Sequence, residues 1–189
     1  MKRQTGVLVR GRLATVAVVI AAAIASNHSA SAGGTNVKAS YDETFVSANF
    51  SYDGASPATL GSHSGYDNIG GRFTGQMLAE YFINGNPCKA PDGTDGVEFV
   101  LVQARLADNY HQGQLYATGT GAADGSGCAG TTGRVSETLT LTVTGGSGRF
   151  DHASGLITLN FIAQVLAGGS SPGELFGDTH VIKTGQIAY

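Results

Sequence analysis

The sequence predicts an all-β antiparallel fold, a sandwich or a barrel, on three observations. Apolar and polar side chains alternate along the chain, most clearly at Leu139-Thr140-Leu141-Thr142-Val143 and again at Ile157-Thr158-Leu159-Asn160-Phe161. That two-residue period puts one set of side chains on each face of a pleated strand. Clusters of Gly, Ser, Asn and Asp separate the runs at fairly regular spacing, giving about seven or eight strands. No segment keeps a 3.6-residue apolar period without a glycine interrupting it, so no helix is predicted.

The chain opens on a targeting pattern. Lys2, Arg3, Arg10 and Arg12 form a basic start, Leu13 to Ile24 an apolar run, and Ala30-Ser31-Ala32 a small-residue cleavage site. About a dozen apolar residues fall short of the roughly 20 that span a bilayer as a helix. Residues 1–32 therefore read as a signal peptide, 33–40 as a flexible lead-in, and 41–189 as a single domain. Of the eleven basic residues four lie before the cleavage site, whereas all fourteen acids follow it, so the exported chain carries a formal charge of −7. An acidic chain with no basic cluster argues against nucleic acid and against anionic membranes as partners. Oligomeric state is left open.

The first strand is expected in Thr44–Tyr52, where Val46, Ala48, Phe50 and Tyr52 alternate with Ser47, Asn49 and Ser51. Asp53–Asn68, rich in Gly and Ser, reads as a loop. Ile69–Ile83 reads as the second strand, where a bulge or close packing would explain Gly75. Asn84–Gly96 is a loop, Val97–Leu106 a strand, Asp108–Gly113 a tight turn, and Gln114–Thr120 the returning strand. Gly121–Gly133 is a glycine-rich loop. The hairpin of Leu139–Val165 follows, then a loop over Gly168–Gly173, and a last strand over Phe176–Tyr189. Cys88 and Cys128, the two cysteines, fall in the two long loops. In an oxidising compartment a disulfide is their default, and a metal site needs more ligands than two distant thiols.

The hairpin also carries a family likeness. Val143-Thr144-Gly145-Gly146-Ser147-Gly148-Arg149-Phe150, with Ala153 and Gly155, resembles the T-G-G-[ST]-G-x-F-x-x-A-x-G hairpin of allene oxide cyclase and dirigent-type barrels. Bacterial secreted proteins with an allene oxide cyclase-like domain are similar further along the chain: at Gly71-Arg72-Phe73-Thr74-Gly75-Gln76, Pro87-Cys88 with Pro91-Asp92-Gly93, Gly96-Val97-Glu98-Phe99, and Ser126-Gly127-Cys128. The likeness covers roughly Ile69 to the C-terminus and tips the choice from sandwich to barrel. It implies an apolar cavity that folds a fatty-acid epoxide in the cyclases, or one that orients phenoxy radicals in the dirigent type. The matched residues belong to the hairpin and carry over no catalytic group.

Candidate chemistry is sparse. Gly61-Ser62-His63-Ser64-Gly65 has histidine where a nucleophile elbow needs serine, and reads as a Ser/Gly loop. The turn Gly145-Gly146-Ser147-Gly148 lacks the lysine of a phosphate-binding loop. His63, His111, His152 and His180 follow no metal-ligand spacing, Asp151-His152 and Asp178-x-His180 included, so no metal and no cofactor is expected. Glu80 and Glu98 lie inside apolar runs; pointing inwards they would be general acid or base candidates, and otherwise they face solvent. Phe73, Gln76, Tyr81, Phe99, Gln103 and Phe161 are the candidates for lining a lumen, with Phe45 and Phe176 beside them. Three functions follow: a secreted barrel binding a small apolar or amphipathic molecule, an isomerase or cyclase acting on an apolar substrate, or a packed structural barrel. Cavity volume separates them, since ordinary ligand sites start near ~300 Å³ and below about 100 Å³ neither ligand reading has room.

Overall fold

The computed structural model describes residues 34–48, 58–168 and 175–189. The signal-peptide segment, the end of the first predicted strand, and most of the Gly168–Gly173 loop lie outside the described residues. The fold is all-β and antiparallel, with nine strands among the described residues: β1 (Thr35–Ala48), β2 (Ala58–Asp67), β3 (Gly71–Lys89), β4 (Asp95–Tyr110), β5 (Gly113–Thr120), β6 (Gly125–Gly130), β7 (Arg134–Gly148), β8 (Ser154–Gly168) and β9 (Leu175–Ala188).

The sheet closes on itself. The order β3-β2-β1-β9-β8-β7-β5-β4 returns to β3 through the β3–β4 pairing, so the ring has eight positions. β5 and β6 share one of them. β5 pairs the second half of β4 with the second half of β7, and β6 pairs the first halves of the same two strands. Closure leaves no long edge open to another chain.

Several strands exceed the segments their patterns predicted. Thr35–Ser40, read as a lead-in, belong to β1 and pair with β9. Ala58–Asp67, read as loop, form β2, and Gly125–Gly130 form β6. β4 continues to Tyr110 through the predicted turn, and Cys88 sits in β3 beyond the predicted strand end. In β2 and β6 the inward positions are mostly Gly61, His63, Gly65 and Asp67, and Gly125 and Gly127, rather than large apolar side chains, so the alternation is present without its usual hydrophobic mark. Gly125 and Gly127 face Leu139 and Phe99, whose side chains occupy the space a Cβ would need.

The hairpin forms as predicted and seals one end of the barrel. β7 and β8 pair from Arg134↔Gln164 to Val143↔Gly155. Gly148, with φ at +58°, takes the left-handed conformation that lets the chain turn. The turn folds Phe150 into the core against Tyr110 and Tyr189, at ring distances of 5.0 and 5.2 Å. Arg149 stacks over Tyr189 at 4.6 Å and donates to its hydroxyl at 2.6 Å. Val37, Ile69, Phe73, Leu115, Ile157 and Ile187 fill the same end, all buried.

Cys88 and Cys128 form a disulfide with Cα atoms 5.9 Å apart, tying β3 to β6 across β4. The bond passes beside Gly96, where a Cβ would lie 3.0 Å from Cys128 Sγ. It closes a loop of 40 residues, which on the chain-entropy account stabilises by roughly 3–4 kcal/mol. Replacing both cysteines with serine is therefore expected to lower the unfolding free energy by about that amount. Denaturant unfolding of the oxidised protein beside the double variant measures it; equal midpoints would show that the crosslink does not constrain the unfolded chain.

Candidate functional site

The site is built on a row of residues that strand register brings side by side. Glu43 on β1 lies opposite His63 on β2, His63 opposite Gly75 on β3, and Gly75 opposite Asp108 on β4. All four positions face inwards. The imidazole of His63 lies over Gly75, where a Cβ would collide with its ring, with Asp108 and with the Ala107 carbonyl. Close packing is thus the reason for glycine here. Gly61 makes the same allowance for the Glu43 carboxylate.

His63 donates from Nδ1 to Glu43 Oε2 at 2.9 Å and from Nε2 to Asp108 Oδ1 at 2.7 Å. Only imidazolium donates from both nitrogens. Burial by itself would lower the pKa of His63, but the hydrogen bonds to Asp108 and Glu43 outweigh it and raise it to about 9. Lys183, fully buried, reaches across the barrel from β9 and donates to Asp108 Oδ2 at 2.6 Å and to the Tyr110 hydroxyl at 3.2 Å. Burial opposes ionisation of Asp108, yet Lys183 and His63 together hold its pKa below the ordinary carboxylate value. The Tyr110 hydroxyl donates in turn to Asp67 Oδ2 at 2.5 Å. Asp67 is fixed by its turn, where Oδ1 accepts from the Ile69 and Gly70 amides. The result is one buried chain, Glu43–His63–Asp108–Lys183, anchored to Asp67 and Tyr110.

Glu43 also lines a cavity of about 250 Å³ at the end of the barrel away from the Phe150 plug. Phe45, Met77, Tyr81, Phe99, Phe161 and Ala163 supply much of its apolar wall. Polar side chains interrupt that wall at Glu43, Ser47, Thr59, Glu137 on β7 and Thr179 on β9. Tyr81 donates to Glu137 Oε2 at 2.9 Å. Burial first, and the charge of Glu43 second, push the pKa of Glu137 up to about 8, with the Tyr81 hydrogen bond opposing them. Burial thus favours the protonated form of Glu137. Its Oε1, like Thr179 Oγ1, is buried without a hydrogen-bond partner. These are the two such side-chain atoms among the described residues, and both belong to residues of this cavity.

The residues singled out from sequence divide. Tyr81, Phe99, Phe161 and Phe45 line the cavity. Phe73 is buried in the plugged half, its ring 4.9 Å from Lys183 Nζ. Gln76 is exposed, and Gln103 donates to Glu80 Oε2 at 2.5 Å. Glu80 is buried, but strand alternation places it on the face of β3 opposite Ala79 and Tyr81, so it does not point into the lumen. Glu98 likewise stands outside, where hydrogen bonds from Asn86 and Asn84 lower its pKa. Neither glutamate is among the residues lining the cavity. Phe176 is on the exterior, half exposed.

Sequence reasoning passed over Glu137, Glu43, Asp108 and Lys183, although a signal was there. Glu137 shares parity with Leu139, Leu141 and Val143; Lys183 shares it with Val181 and Ile187. A charge in phase with the apolar face is the mark of an inward group. Glu98 is in phase with Val100 and Val102, which lie on the outer face.

On the exterior, Ser40 Oγ, His180 and Asp42 form a hydrogen-bonded chain, with contacts of 3.0 and 2.9 Å. Its side chains stand in open solvent, unlike the water-excluded, donor-lined setting that stabilises an acyl-transfer intermediate. Among the described residues, no three His, Cys, Asp or Glu side chains are grouped to hold a metal ion, and no helix is long and apolar enough to cross a membrane. No protein-family model matches the chain, and no curated protein matches it significantly.

Proposed function

We propose that this chain is an exported barrel that binds one small, mainly apolar and electrically neutral molecule in the cavity beside Glu43 and Glu137. The observation that carries this reading is the coincidence of the two unpartnered buried polar atoms with one apolar cavity. A buried polar group without a partner costs about 1–3 kcal/mol, and a ligand oxygen can recover part of that. The volume of about 250 Å³ lies well above the ~100 Å³ that would leave no room, and near the lower end of ordinary ligand sites. Export is supported by the targeting pattern of residues 1–32 and by the disulfide. The resemblance of the hairpin to allene oxide cyclase and dirigent-type barrels supports placing the ligand inside the barrel.

The polar groups also restrict the ligand. An anionic head would be buried in this cavity without a partner, because no Lys, Arg or His is among its described lining residues, and burying an unpaired charge costs several kcal/mol. One hydrogen bond does not return that. A ketone, ether or alcohol oxygen, by contrast, accepts from the neutral Glu137 carboxyl without penalty.

Native mass spectrometry of the mature protein from an exporting host, beside a denatured control, tests the reading. A single mass excess that vanishes on denaturation is expected. Ala163→Trp, which fills the cavity, is expected to abolish it while leaving the β-sheet circular dichroism intact. A bare wild-type mass, together with no thermal protection by a panel of apolar ketones and alcohols, would overturn the proposal in favour of a packed barrel.

A further inference from the structure

We propose that Glu43 and Glu137 act as a base and acid pair that moves a double bond, so that the cavity converts β,γ-unsaturated ketones into their conjugated α,β isomers. This rests on the cavity being a site for a neutral, oxygen-bearing ligand and adds chemistry to that reading. Both carboxyl groups border the same apolar cavity from different walls, Glu43 from β1 and Glu137 from β7, with β9 and β8 between them. Their surroundings differ in the way that general base and general acid require. Glu43 accepts from the His63 imidazolium, itself held by Asp108 and Lys183, and so presents a carboxylate. Glu137 has a phenol rather than a cation as its partner and keeps its proton, with Oε1 unpaired. His63, Asp108 and Lys183 are positioning residues; Glu43 and Glu137 are the catalytic ones.

The step balances without a co-reactant. The Glu43 carboxylate removes the proton between the carbonyl and the double bond. The electron pair of that C–H bond enters a new C=C bond, and the carbonyl π pair moves to oxygen, which takes the Glu137 proton. A neutral dienol results, with Glu43 protonated and Glu137 ionised. Glu43 then delivers its proton to the γ carbon, the dienol O–H proton returns to Glu137, and the conjugated ketone leaves. Glu43 and Tyr81 are the titratable groups that face Glu137 from the other walls of the cavity.

Cyclohex-3-en-1-one is the probe for turnover, followed by the ultraviolet absorbance of the conjugated product and, with substrate deuterated between the carbonyl and the double bond, by transfer of deuterium to the γ carbon. Cyclohexanone is the probe for binding, followed by saturation-transfer NMR. The wild type is expected to bind the second and isomerise the first above the protein-free rate. Glu43→Gln is expected to slow turnover by about 10²–10⁴-fold while cyclohexanone still binds. Should Glu43→Gln fail to fold, Glu137→Gln carries the test, since glutamine keeps the Tyr81 hydrogen bond. The wild-type rate is expected to fall above pH about 8, and Glu137→Gln to be slow at every pH without that fall. Cyclohexanone binding with no turnover, or unchanged rates in the glutamine variants, overturns this proposal and leaves the binding reading standing. If cyclohexanone does not bind, the ligand class assigned to the cavity falls and takes this inference with it.

Discussion

Lys183→Met is expected to destabilise the fold by about 3–5 kcal/mol, the usual cost of removing one partner from a buried ion pair. Lys183 has no exposed surface. Its ammonium sits 2.6 Å from Asp108 Oδ2 and 3.5 Å from Asp67 Oδ2, above the face of Phe73. Methionine fills nearly the same volume, so the loss is electrostatic. Asp108 would keep only His63, and Asp67 only the Tyr110 hydroxyl and its own turn amides. Adding Asp108→Asn removes one stranded charge, and the double variant is expected to be more stable than the sum of the single variants. Urea unfolding of the three variants and the wild type measures this. A Lys183→Met protein within 1 kcal/mol of wild type, or additive single effects, would mean that water or rearranged side chains already neutralise these carboxylates.

The second large effect is a loss of stability with rising pH. His63 ionises near 6.5 in an unfolded chain and near 9 in the folded barrel. A raised histidine pKa contributes stability that is complete below the unfolded value and is lost as pH climbs through the folded one. Glu137 ionises near 4.3 when unfolded and near 8 when folded. Holding its proton costs nothing in acid and progressively more above the unfolded value. Between pH 6.5 and 8 the folded state therefore binds about one and a half protons more than the unfolded state, shared nearly equally between the two groups. The expected slope is about −2 kcal/mol per pH unit, or about 3 kcal/mol across that window. Asp108 works in the opposite sense. Its lowered pKa gives stability that is present above the ordinary carboxylate value and lost in acid, outside this range. Denaturant unfolding at several pH values measures the slope, and Glu137→Gln is expected to halve it. A flat profile would mean that neither group keeps its proton in the folded protein.

Most of the architecture was legible because alternation is a local property of the chain. The hairpin, the antiparallel class and the aromatic wall of Tyr81, Phe99 and Phe161 all follow from side chains that repeat every second residue. β2 was not legible, because its inward positions are Gly61, His63 and Gly65 rather than apolar residues. Glycine looks the same in a loop as in a strand that must pass under a large side chain. The carboxylates misled for a related reason. Glu98 is surrounded by apolar letters in the sequence, yet pleating sends it outwards with Val100 and Val102.

The sequence by itself determined the two-residue period, the central hairpin, the targeting pattern and the cysteine pair, each of which depends on neighbours within a few residues or on composition. Tertiary structure alone decided the site. Glu43, His63, Asp108 and Lys183 come from four strands separated by as many as 140 positions, and meet only because ring closure sets their register. The protonation of Glu137 is likewise a property of the closed barrel. Its carboxyl resembles any other in the sequence, and holds its proton because the walls that enclose it exclude the water that would stabilise its charge.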